Sequence, residues 1–151
     1  MRGQAQPVAS SRSSDELRLR AQPSELKLAR DYARQAATAF GFDDDGCYEF
    51  VYAVNEAVTN AIRHGAPDAR GSIGLSVSSE ANRLMFTVRD CGRFATSLES
   101  SASTSAHGRG FALMANLVDE VRLRIEPEGT IVTLLKICAT MCPELTLRGR
   151  P

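Results

Sequence analysis

Four stretches of this chain alternate apolar and polar residues, and they fall into two close pairs. Ser72–Ser78 is followed by Leu84–Asp90, and Val121–Ile125 is followed by Thr130–Ile137. Alternation places the apolar set on one face of a strand, so each strand must bury that face against another layer. Ala81-Asn82-Arg83 and Pro127-Glu128-Gly129 are short turn-forming connections, so each pair reads as a hairpin. Glu16–Arg20 alternates in the same way and adds an earlier strand. Between these segments the spacing changes to that of a helix. Leu26, Leu28, Ala29, Tyr32, Ala33, Ala36 and Phe40 define a first helix, with Ser24 as its expected N-cap and Gly41 as its stop. A second helix is expected from about residue 47 to 64, opened by Asp43-Asp-Asp-Gly46 and ended by Gly65-Ala-Pro67. Those carboxylates suit the positive end of a helix dipole, and no EF-hand spacing follows them. Phe111–Val118 gives a third helix.

The order is therefore β-α-α-β-β-α-β-β. It implies an α+β two-layer sandwich, with a mixed, mainly antiparallel sheet covered on one face by helices. At 151 residues with 43% hydrophobic content, the chain is long enough for one such core. Residues 1–14 are polar and Pro/Ser-rich and read as a disordered tail, 15–138 as the domain, and 139–151 as a C-terminal tail. The segment 94–107, mostly Ser, Thr and Ala, reads as a mobile loop.

Lys plus Arg and Asp plus Glu each number 18, so the formal net charge is zero. That argues against bulk electrostatic attachment to nucleic acid or to an anionic membrane. No run of about 18 apolar residues is present, and the N-terminus has no apolar signal core, so a cytoplasmic location is expected. Cys47, Cys91, Cys138 and Cys142 form no CxxC pair or zinc pattern, and reduced, half-buried thiols are expected.

Three segments could carry chemistry. On the second helix, Val51, Val54, Val58 and Ala61 form an apolar stripe, while Glu56 and Asn60 share a face nearly opposite it. A carboxamide oxygen is a hard ligand that suits Mg²⁺, and a carboxylate one turn away can accept a proton. Asp90-Cys-Gly92 ends a strand; an ionised carboxylate there can accept from an exocyclic amine of a base. Gly108-Arg-Gly110 lies where a loop is expected to give way to a helix, and glycines at a helix start let backbone N–H groups approach an anion. Each segment alone is an ordinary solvated pair or a turn. No Walker-type phosphate loop and no dinucleotide-binding glycine motif occurs.

In chain order the combination resembles the Bergerat-fold ATPases, the group that includes gyrase and the histidine kinases. Within that group it resembles the small bacterial anti-sigma factor serine/threonine kinases. Glu56-Ala-Val-Thr-Asn-Ala-Ile-Arg-His-Gly65 is similar to their N-box, and Gly108-Arg-Gly-Phe-Ala-Leu-Met114 with Asp119-Glu-Val121 to their lid and following helix. The resemblance covers about residues 15–138. It implies that Asn60 ligates a Mg²⁺ on the phosphates of ATP and that Glu56 is the general base. It implies that Asp90 takes the adenine amine, Gly92 gives the ring room, and Thr130 helps hold it. Gly108 and Gly110 would wrap the phosphates, and Arg109 could reach one. The implied partners are a sigma factor and a STAS-domain anti-anti-sigma factor, with a homodimer as the expected assembly and no direct nucleic-acid or membrane contact. The alternative is a nucleotide-binding module that sequesters its partner without phosphoryl transfer. Two departures bear on that choice. Phe94 stands where such sites often have a second glycine, and Ser105, Ala106 and His107 stand where some members carry a basic lid residue.

Overall fold

The structure, a computed structural model, describes residues 16–64, 71–91 and 104–139, with side chains along the third helix described from residue 109. The expectations for 1–14, for Gly92, for 94–103 and for the tail beyond Ala139 lie outside the described residues. The elements run β1 (Leu17–Arg20), α1 (Leu26–Phe40), α2 (Asp44–His64), β2 (Ser72–Glu80), β3 (Arg83–Asp90), α3 (Thr104–Leu117), β4 (Glu120–Glu126) and β5 (Gly129–Ile137).

The five strands form one sheet in the order β1-β2-β3-β5-β4. All four ladders are antiparallel, so the sheet is the mainly antiparallel one expected, without a parallel pair among the described residues. Both hairpins form, closed by Ala81-Asn82 and Pro127-Glu128. The register decides which residues face the helices. Leu84, Phe86, Val88 and Asp90 are the buried set of β3, and β5 places Lys136, Leu134, Val132 and Thr130 opposite them in that order. Ile73 and Leu75 of β2 and Leu17 and Leu19 of β1 extend the same face. At the sheet's two edges, β1 carries Arg18 and Arg20, and β4 carries Glu120, Arg122, Arg124 and Glu126 on the face turned away from the helices.

The helices follow from small apolar residues at helical spacing. Ala29, Ala33 and Ala37 of α1 are fully buried, and α2 buries Ala53, Ala57 and Ala61 beside its valines. Small side chains let packed helices approach closely. Over them, the Phe86 ring of β3 packs edge-on with those of Tyr32 and Phe50, centroids 5.8 Å and 6.0 Å away, tying α1, α2 and the sheet together. Gly41 ends α1 in the left-handed conformation (φ 109°), where it donates to the carbonyl of Ala37.

Three boundaries differ from the expectation. Ser24 does not cap α1: Pro23–Glu25 forms a 3₁₀ turn leading into α1, and neither helical start has a side-chain cap. The fixed φ of Pro23 starts that turn before Ser24 can act as a cap. Helix α2 begins at Asp44, three residues earlier than expected, because Asp43 caps it: the Gly46 N–H donates to Asp43 Oδ1 at 2.7 Å. Helix α3 begins at Thr104 rather than Phe111, so Ser105, Ala106 and His107 lie in a helix and not in a loop.

A candidate nucleotide site between α2, α3 and the end of β3

Helix α2 carries Glu56 and Asn60 one turn apart, and both side chains are half-buried. The apolar stripe is buried as expected, yet the face opposite it is not free, because α3 packs there. Gly110 of α3 lies against Glu56 and Asn60. A Cβ at that position would stand 3.3 Å from Asn60 Nδ2 and 3.8 Å from Glu56 Oε2. The α3 backbone therefore passes close over both polar side chains, and a Cβ at 110 would make the Asn60 amide give by a few tenths of an ångström. Neighbouring bonds fix this stretch of α2: Arg30 of α1 donates to Asn55 Oδ1 at 3.1 Å, and Thr59 Oγ1 donates to the Asn55 carbonyl at 2.7 Å.

At the C-terminal end of β3, Asp90 is directly opposite Thr130 of β5. The Thr130 N–H donates to Asp90 Oδ1 at 3.3 Å in a buried setting. Asp90 is 9% exposed and Thr130 4%. Among the described residues, Thr130 Oγ1 is a buried side-chain oxygen with no hydrogen-bond partner. A buried hydroxyl left without a partner is uncommon and marks a place where another group belongs. Gly129, read in the sequence as part of a turn, has a further duty here. A Cβ on it would fall 1.8 Å from the Asp90 carbonyl oxygen, so β5 can close on the end of β3 only with glycine at this position.

Gly108, Arg109 and Gly110 lie on α3, and Arg109 is exposed. They are not at the helix start. Gly108 is the fifth residue of α3, beyond the first four, whose N–H groups are the ones a helix leaves unpaired. The expected placement of these glycines as a cradle at a helix N-terminus is thus corrected: helical backbone continues through them to Thr104. Of the eight residues expected at the site, Glu56, Asn60 and Gly110 come together, Asp90 and Thr130 form a second pair, Gly108 and Arg109 share α3 with Gly110, and Gly92 falls outside the described residues.

A polar helix face roofed by a glycine and a buried Asp-Thr pair at a strand end form a recognisable arrangement, and residues 19–136 match the profile of the histidine kinase-like ATPase domain. The chain belongs to the histidine kinase-like ATPase family. Its family relatives include the anti-sigma F factor of Anoxybacillus flavithermus, 33% identical over 127 residues, covering 75% of this chain and 87% of that protein. The anti-sigma F factor of Bacillus subtilis is 35% identical over 102 residues, covering 61% of this chain and 70% of that protein. Among solved structures, the RsbU and RsbW domains of a Mycobacterium tuberculosis protein share the fold with a TM-score of 0.59 at 22% identity. That match covers 82% of this chain, which spans only 32% of the longer chain. The histidine kinase domain of a blue-light-activated kinase of Erythrobacter litoralis has the same fold, with a TM-score of 0.51 at 20% identity over 77% of this chain and 62% of that one. Among the described residues, no helix of this ATPase-family chain is long and apolar enough to cross a membrane.

Proposed function

We propose that this chain is an ATP-dependent anti-sigma factor. In this reading it sequesters a sigma factor and phosphorylates a serine or threonine of a STAS-domain antagonist, in the cytoplasm and as a homodimer. The observation that carries the reading is that one fold holds two half-sites, each suited to one end of the same ligand. Glu56 and Asn60 under Gly110 suit a metal-bound triphosphate, and the Asp90–Thr130 pair suits an adenine. The anti-sigma F factor relatives supply the sigma factor as partner.

The residues fit the group. Thr130 Oγ1 is a buried oxygen wanting a partner, and Asp90 is a buried carboxylate oriented by the Thr130 amide to accept from an amine. The Asn60 carboxamide offers the hard oxygen that Mg²⁺ prefers. Bound there, ATP with Mg²⁺ supplies the transferable phosphoryl group and neutralises the charge that builds up on its oxygens. Glu56 takes the proton of the acceptor hydroxyl at its carboxylate, held against α3 and partly shielded from water. Gly108, Gly110 and Arg109 serve the phosphates once the helical turn before Gly108 opens. Each glycine costs a helix about 1 kcal/mol relative to alanine, which lowers what that opening demands.

A sequestering module without transfer is the second reading, favoured by Phe94 and by the lack of a basic residue at 105–107. Calorimetry with ATP and Mg²⁺ on wild type and Asn60→Ala tests nucleotide binding, and a loss of roughly tenfold or more is expected in the variant. Phosphate transfer to the STAS proteins of its own genome, with Glu56→Ala as control, separates the two readings. A wild-type chain that binds no nucleotide overturns both the kinase and the nucleotide-bound module.

A further inference from the structure

Lys136 stands on the helix-facing side of β5, in the row that has Thr130 at its other end. Only 13% of its side chain is exposed. A lysine buried to that degree needs its charge matched. Its ammonium donates to Glu49 Oε2 on α2 at 2.8 Å and to the carbonyl oxygen of Leu117 at 3.0 Å, and it lies 5.9 Å from the centre of the Phe42 ring. Leu117 is the last residue of α3. Its carbonyl is one of the four that a helix leaves unpaired at its negative end, where a cation is favoured. One ammonium thus joins β5, α2 and the end of α3. Further back on α3, Gly110 lies over Asn60 and Glu56 of α2.

We propose that Lys136, seated by Glu49, is a positioning residue that pins the C-terminal end of α3. Gly110 lies seven residues back from Leu117, about 10 Å along the helix, so a fixed end there sets where the glycines fall relative to Asn60 and Glu56. The N-terminal turn of α3 can then open without the helix leaving α2. An apolar residue at 136 would fill the space but would leave the Leu117 carbonyl unheld, whereas a charge-assisted bond is both stronger and directional. The effect on ATP rests on the nucleotide reading proposed above; the effect on α3 does not.

Amide hydrogen exchange on the full chain without nucleotide, followed by calorimetric titration with ATP and Mg²⁺, tests the pin. The variants are Lys136→Met, Glu49→Gln and Lys136→Arg. In Lys136→Met, amides 109–117 are expected to exchange about tenfold faster relative to those of α2 and β3, the loss of one charged hydrogen bond, and ATP to bind weaker by a similar factor. Glu49→Gln is expected to move both readouts the same way by less, and Lys136→Arg to restore both. Exchange that quickens evenly over α2, β3 and α3, or α3 exchange unchanged in both variants, overturns the proposal. If Lys136→Met does not fold, Glu49→Gln decides, because Glu49 is 44% exposed and its loss opens no core. Selective loosening of α3 in a chain that binds no ATP upholds the pin and refutes the nucleotide reading. Wild-type ATP binding with α3 unmoved in the variants does the reverse.

Discussion

Thr130 keeps a buried hydroxyl that the described fold does not use. A free hydroxyl taken out of water destabilises a protein, so a site that retains one needs it for something other than folding. The Thr130→Val variant separates the two roles. Melting should show stability unchanged or raised by about 1 kcal/mol, since an unpaired polar group is replaced by an isostere. ATP affinity should fall by roughly fivefold to tenfold, the worth of one hydrogen bond. Asp90, which accepts from the backbone N–H of Thr130, lies 40 positions away in sequence. The resemblance put both at one ligand, but spacing alone could not show their direct bond, because two hairpins must fold before β5 lies beside β3. The demand on Gly129 was hidden for the same reason: its neighbour, the Asp90 carbonyl, belongs to another hairpin.

Helix α3 is the element in which local preference and packing disagree most. Two glycines within three residues, 108 and 110, weaken a helix, yet α3 runs through both. Gly110→Ala tests what the glycine is for. Alanine should add up to about 1 kcal/mol of helix stability. Its Cβ would stand 3.3 Å from Asn60 Nδ2, tight enough to displace the amide, so ATP affinity should drop while the melting temperature holds or rises. A variant that melts lower and binds normally would show that Gly110 matters only for packing. Most elements were legible in the sequence because the alternation in β2 to β5 and the valine stripe of α2 are strong periodic signals. The first turn of α3 was not, because Thr104 to His107 carry no apolar period. Glu56 and Asn60 could be placed on one face from spacing alone. Their half-burial could not, since it comes from a helix some fifty residues later.

For the molecule as a whole, the Asp90–Thr130 half-site sits at the end of the sheet where β3 finishes and β5 begins, and Lys136 sits at the other end of the same row. A ligand bridging α2, α3 and the sheet should therefore stabilise the whole domain. ATP with Mg²⁺ at a hundred times Kd is expected to add about 2.7 kcal/mol, read as a rise in melting temperature of several degrees. Chelating the metal should remove most of that rise, and Asn60→Ala should show little of it. An equal rise in the chelated sample would remove Asn60 from the metal's ligands.

The outer strands bear on a different behaviour. An open sheet offers unpaired backbone groups along both borders, and a second copy can add to them strand by strand. Here one border is only four residues long and holds two arginines, and the other interleaves glutamates with arginines. Lengthening into ribbons would require stripping water from those charges. At high concentration the protein should stay clear of fibrillar growth, and its traffic with other molecules is left to its helices and broad surfaces.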